Sequence, residues 1–387
     1  MQLVFLPVPN RLLGKDESEL FSVSRWPSVW PHSHNLSLNL DLMDKRNLQL
    51  TYLPILGLLL SACASNAATQ TAVPSPPPPL PSVTEDPQLP NSTDEPLIPK
   101  IFLVADPNMH LQIQEHLLRE LQDLAAAQEW ILEQHTSFSA DNIDPELRVV
   151  LALPPVSDIE QWADQTPEVQ FVAVGISGLT TRPNLSLIGP NGFREDQLSF
   201  LAGYLAAVIT PDWRVGTIID EAAEVRAAGF RNGVIYYCGL CRLTYPPYYD
   251  YPLSFTLKSD HTEEDWRQSA EFFAANAVDT LFINVNTIEP EMLQILSNSG
   301  LTLFGSLMTA DADHWIGTLR LAPEISLREK WNDILQEEGG WRTEIPLVLE
   351  DVNQELLSIG RLHWIEKMID ELQMGFIDPS ITPIGPD

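Results

Sequence analysis

From Lys100 onward, short apolar runs alternate with longer stretches whose apolar residues recur at helical spacing, so the chain reads as strands alternating with helices. The run "IFLVAD" (101–106) is a short strand. In "MHLQIQEHLLRELQDLAAAQE", which follows, Leu111, Leu117, Leu118, Leu121 and Leu124 fall at helical spacing. "RVVLALP" (148–154), "VQFVAVG" (169–175) and "NLSLIG" (184–189) are further strands, with Ile159 and Trp162 marking a short helix. "REDQLSFLAGYLAAVIT" (194–210) is a helix apolar nearly all round, which predicts burial on every side. The pattern then restarts. "RVGTIID" (214–220) is a strand and "AAEVRAAGFRNGVIYY" a helix; "LSFTLKS" is a strand. "TEEDWRQSAEFFAANA" is a helix opened by a Thr262 cap with Asp265 three positions on. "VDTLFINV" is a strand, followed by "PEMLQILSNSG", a helix with Pro290 in its first turn and Gly300 at its end. "LTLFGSL" is a strand and "SLREKWNDILQEEGG" a helix, and the strand "EIPLVLE" and helix "QELLSIGRLHWIEKMIDELQMG" close the pattern.

Apolar strands that alternate with helices imply parallel sheets covered on both faces. Two successive runs predict an α/β fold of two Rossmann-like lobes with parallel sheets, joined by a hinge. Residues 100–212 form the first lobe and 213–344 the second, with the last strand and helix (345–378) returning to the first. Ligands in such sheets sit beyond the carboxyl ends of the strands, so two facing lobes border one cleft that closes by hinge motion. The candidate contacts are therefore strand-end residues: Asp106 and Asn108, Pro154, Ser177, Asp220 and Glu221, Asn284 and Asn286, and Asp311 with Trp315. Trp315 offers a stacking face, and Asp311 or Asp106 an acceptor for hydroxyl groups. The alternative for each is a turn or cap role, which Asp and Asn favour on local grounds. Trp266 and Trp331, on helices, read as core.

A different apolar run lies upstream. Met43, Asp44, Lys45 and Arg46 precede a stretch from Leu48 to Leu60 that ends in "LSAC" at Cys63. The run is shorter than the ~20 residues a membrane-spanning helix needs. Basic flank, apolar core, small residues and cysteine follow the order of an export signal, and "LSAC" resembles a lipobox, where bacteria attach diacylglycerol to the cysteine and cleave before it. Residues 43–62 are then a lipoprotein signal peptide, with translation starting at Met43 and residues 1–42 read as an over-long gene start. A genuine N-terminal extension, and a buried core helix ending in Cys63, are the alternatives. Residues 63–99 hold ten prolines between Pro74 and Pro99. Proline fixes φ and removes a donor, so this stretch reads as an extended tether.

Charge narrows the partners. With 53 Asp and Glu against 22 Lys and Arg, net −31, the chain repels nucleic acid and anionic lipid surfaces. A covalent lipid is then the expected anchor to the membrane, on its extracytoplasmic face; solubility alone also accounts for the acidity.

The run "NGFREDQLSFLAGYLAAVIT", then "RVGTIID" and "AAGFRNGVIYY", resembles the signature stretch of the basic membrane protein family. These are lipid-anchored substrate-binding proteins of ABC importers with a type I periplasmic-binding fold, several of them binding purine nucleosides. The resemblance covers residues 190–240 well and the rest loosely. It implies capture of a small polar ligand, nucleosides included, for an ABC permease, without catalysis or cofactor. Glycine spacing agrees: Gly203, and Gly229 with Gly233 on one helix face, permit close helix packing. The chain departs from nucleoside-binding members after the first strand, where "VADPNMHLQIQ" has no phenylalanine to stack on a base. The family's Asp-rich turn corresponds to "TADADHW", from Asp311 to Trp315. A ligand-sensing or surface-interaction lipoprotein and a lipid-anchored enzyme are the rival readings.

Other constellations add less. Cys238 and Cys241 in "CGLC" pair off once Cys63 carries lipid, as expected of exported cysteines. A redox-active pair and half a zinc site are the alternatives, but no second CxxC follows and the histidines are scattered, so no metal site is expected. "YPPYYDY" (245–251) is an aromatic loop, either packed or lining a cleft. No P-loop, dinucleotide fingerprint or GxSxG occurs.

Overall fold

The computed structural model describes residues 97–382, apart from 109–110, 140–141, 222–223, 240–242, 244 and 308–313. The expectations for residues 1–96, including lipidation of Cys63, lie outside the described residues, as do Cys241 and Asp311.

Among the described residues two six-stranded sheets organise the fold. The first contains β1 (Lys100–Val104), β2 (Ile131–His135), β3 (Leu147–Ala152), β4 (Gln170–Val174) and β5 (Leu185–Ile188). They lie in the order β5-β4-β3-β1-β2, all parallel. β1, β3, β4 and β5 are almost wholly buried, as parallel strands covered on both faces must be. α1 (Leu111–Gln128) and α2 (Ile159–Gln165) cover this sheet. α1 buries Leu117, Leu121 and Ala125, one stripe at helical spacing.

After β5 the chain crosses over. α3 (Glu195–Ile209) packs on α4 (Glu224–Cys238) and on strands of the second sheet. That sheet contains β6 (Val215–Asp220), β7 (Leu253–Leu257), β8 (Thr280–Asn284), β9 (Thr302–Gly305) and β10 (Trp315–Leu321), in the order β10-β9-β8-β6-β7. α5 (Glu263–Ala275) and α6 (Pro290–Ser297) lie along it. Thr262 donates its backbone N–H and its hydroxyl to Asp265 at the start of α5. Trp266 is fully buried in the second lobe's core.

The last third departs from the sequence expectation. α7 (Pro323–Leu335) packs back on α1 and β5, with Trp331 buried. Arg328 of α7 donates from Nε to Glu120 of α1 at 2.8 Å, and its second nitrogen bonds the other carboxylate oxygen. β11 (Arg342–Thr343) then extends the first sheet beside β5. β12 (Leu347–Glu350) crosses again and pairs antiparallel with β10, and α8 (Ile359–Gln373) packs on α3 and β12. Residues 345–378 therefore do not return to the first lobe, and α7 with β11 does not belong to the second. Likewise, α3 belongs to the second lobe, so the first boundary falls after β5 rather than at 212. Apolar periodicity predicts that a segment is buried; it carries no information on which of two sheets buries it. Three crossings thus join the lobes: after β5, between β10 and α7, and between β11 and β12.

Candidate functional site

In both sheets the strand order reverses at the first strand, since β1 lies between β2 and β3, and β6 between β7 and β8. The carboxyl ends flanking such a reversal form a crevice. A cavity of about 270 Å³ occupies that position between the lobes. The first lobe contributes Asn108, just past β1, and Leu111, Gln112, Ile113 and His116 from the first turns of α1. From the second lobe, Glu195 and Leu198 open α3, Arg226 lies in the first turn of α4, and Asn284 ends β8 with Val285 and Asn286 beyond it. Ser306 after β9, and Arg320 and Leu321 at the end of β10, complete the wall.

The two arginines differ. Arg320 donates to both carboxylate oxygens of Glu350, at 2.9 and 2.8 Å, and to Glu324 at 2.6 Å. Burial works against its charge, but those hydrogen bonds outweigh it and hold the guanidinium ionised. Arg226 is loosely held. It lies 3.9 Å from Glu195 and 3.9 Å from Asp220, and its one hydrogen bond among the described residues, 3.4 Å long, goes to the Asn284 carbonyl. Loss of surrounding water pushes the Glu195 carboxyl up from its ordinary value, against a smaller downward pull from Arg226. His116 is pushed the other way, by burial first and by the Arg320 charge second, so its imidazole is held neutral.

The strand-end candidates fall into three groups. Asn108 and Asn284 line the cavity, as does Asn286. Asp106 and Asp220 stand behind it: the Asp106 carboxylate accepts the Asn108 N–H at 2.9 Å, and Asp220 accepts the Asn286 N–H at 3.0 Å. They hold the loops whose asparagines face the crevice. Ser177, which is exposed, and Pro154 and Glu221 are not part of the wall. Trp315 is 5 % exposed and sits in the second lobe's core, its indole N–H directed at Thr318. Its reading as a stacking face is revised, because it opens a central strand rather than a strand-end loop. Cys238 is disulfide-bonded. Among the described residues there is no cluster of His, Cys, Asp and Glu able to hold a metal ion, and no helix is long and apolar enough to cross a membrane.

A solved ABC transporter solute-binding protein from Aeropyrum pernix K1 superposes with a TM-score of 0.52 at 13% identity, over 74% of this chain and 94% of that one. A transcriptional activator of the comK gene from Bacillus halodurans superposes with a TM-score of 0.50 at 13% identity, over 73% and 99%. A scan against protein-family models and a search of curated proteins both found no match. The fold is that of the type I periplasmic-binding proteins. Within that fold the cavity lies where the two lobes face each other across the crossings.

Sequence reading missed Gln112, His116, Glu195, Arg226, Ser306 and Arg320. Glu195 and Arg226 carried a usable signal: each lies in the first turn of the helix that follows a strand end, β5 and β6 respectively. Arg320 carried none, since it lies within a strand not read from the sequence.

Proposed function

We propose that this chain is a solute-binding lipoprotein on the extracytoplasmic face of the membrane. Its two lobes close on a small polar ligand and deliver it to an ABC permease, without catalysis. One observation carries the reading: a cavity of about 270 Å³ walled by both lobes at the carboxyl ends of both sheets, with Asn108 contributed by one lobe and Asn284 and Asn286 by the other. A ligand touching both walls gains contacts only in the closed state, and that difference drives closure. The fold likeness to an ABC transporter solute-binding protein supports the reading, as do the "LSAC" run at Cys63 and the family-like stretch at 190–240.

Calorimetric titration of the purified protein with nucleosides, sugars and amino acids tests it; no binding by any of them overturns it. Cys63→Ser is expected to release the protein from the membrane fraction, and retention there overturns the lipid anchor. A nucleoside is the ligand the family resemblance suggests, but no Phe, Tyr or Trp lines the cavity among the described residues. Ligand sensing without transport is the second reading, favoured by the missing aromatic after β1; permease and ATPase genes beside this one would decide for import.

A further inference from the structure

Resting on the cleft reading above, we propose that the ligand is a small aliphatic zwitterion of the α-amino acid class, its carboxylate bound by Arg226 and its ammonium by Glu195.

The two side chains form an ion pair of poor quality inside a cavity. The Arg226 Nε to Glu195 carboxylate separation is 3.9 Å, beyond hydrogen-bond reach. Asp220 is no closer, and among the described residues only the long bond to the Asn284 carbonyl uses an Arg226 donor. A guanidinium has five N–H donors in a planar fork matched to carboxylates, so toward the described residues most of this fork is unspent. Glu195 accepts no hydrogen bond from any described residue, and burial raises its carboxyl pKa. Arg320, on the same wall, is the internal contrast: its fork is filled by Glu350 and Glu324.

The ligand class follows from what satisfies both groups together. An anion alone meets Arg226 but stands against Glu195, and a cation alone meets the reverse conflict. A neutral ligand expels water from both charges and pairs neither, which is costly. A molecule with an ammonium and a carboxylate on one carbon pairs both, side by side. Residues in the first turns of α1, α3 and α4 line the same space, and the partial positive charge of helix N-termini favours a carboxylate near them.

The remaining wall indicates the rest of the molecule. Leu111 and Ile113 of one lobe and Leu198 and Leu321 of the other line the cavity, giving it an aliphatic surface suited to an aliphatic side chain. Among the described residues the wall has no Phe, Tyr or Trp, and its one aromatic ring is the His116 imidazole. An apolar cavity of roughly 150 Å³ holds benzene; at about 270 Å³ this one has room for a branched amino acid.

The test is isothermal titration calorimetry of the full-length protein with leucine, valine, alanine, N-acetyl-leucine, 3-methylbutylamine, adenosine and ribose. The expected result is binding by at least one aliphatic amino acid. N-acetylation and decarboxylation are each expected to weaken it at least tenfold, and Glu195→Gln to weaken the parent ligand by a similar factor. The analogue series uses the unaltered protein, so it stands even if a variant misfolds. Equal affinity for N-acetyl-leucine, or binding by adenosine or ribose alone, overturns this inference while leaving the cleft reading intact. Heat from none of the compounds overturns both.

Discussion

Arg320 and Arg226 share a wall but have different work, and the difference is measurable. Arg320 holds two carboxylates at a crossing between lobes, and its side chain is only 11% exposed. Arg320→Ala leaves Glu324 and Glu350 without their counter-ion, so unfolding free energy should fall by about 3 kcal/mol in chemical denaturation. Arg226→Ala removes two pairs at 3.9 Å and one long hydrogen bond to the Asn284 carbonyl among the described residues, and should change stability by less than about 1 kcal/mol, while weakening ligand binding. His116 gives a pH signature. Its folded-state pKa is below the ordinary value, so as pH falls through ~6.5 the unfolded chain takes up a proton that the folded protein resists. Stability should therefore drop on acidification below that point, down to the lower folded-state value. Arg320 and Arg119 add to the repulsion, and Glu324 and Glu350 oppose it. His116→Gln should flatten this segment of a denaturation series across pH; an unchanged slope would assign the effect to another group.

The contact between α3 and α4 shows how an element can be legible in outline and still be misplaced. Cβ atoms built on Gly203 and Gly233 would fall on the carbonyl oxygens of Phe230 and Phe200, so the helix backbones touch. Gly233→Ala should cost roughly 2–3 kcal/mol by forcing the helices apart, with a matching loss in thermal melts. Gly300 makes the control: it has φ +74° and open space around it, so Gly300→Ala should cost only about 1 kcal/mol of backbone strain. The glycines and the nearly all-apolar face of α3 were readable in the sequence, and both predicted close burial. The partner sheet was not readable. β2, β10 and β11 were missed for different reasons. β11 is two residues long. β2 is half-exposed and interrupted by Glu133 and Gln134. In β10, Gly317 and Arg320 break the apolar run, and Trp315 looked like a loop residue.

For the whole molecule, three crossings between two lobes permit closure about a common hinge. Small-angle scattering should show a smaller radius of gyration at saturating ligand; an unchanged curve with proven binding would mean the cleft does not close. The formal charge of −31 over the chain makes like-charge repulsion general, so moderate salt is expected to raise the melting temperature by screening it.

By itself the sequence determined the alternation of strand and helix, the two α/β lobes and the strand-end loops as the place to look. These follow from local periodicity and from the rule that apolar faces must be covered. Asn108 and Asn284 were accessible to that reasoning because strand ends are local features. Tertiary structure alone decided which sheet takes α3, α7, β11 and β12, that Trp315 is core, and that Glu195 and Arg226 lie side by side in the crevice. Those facts depend on which distant segments meet, and spacing along one chain carries no record of that.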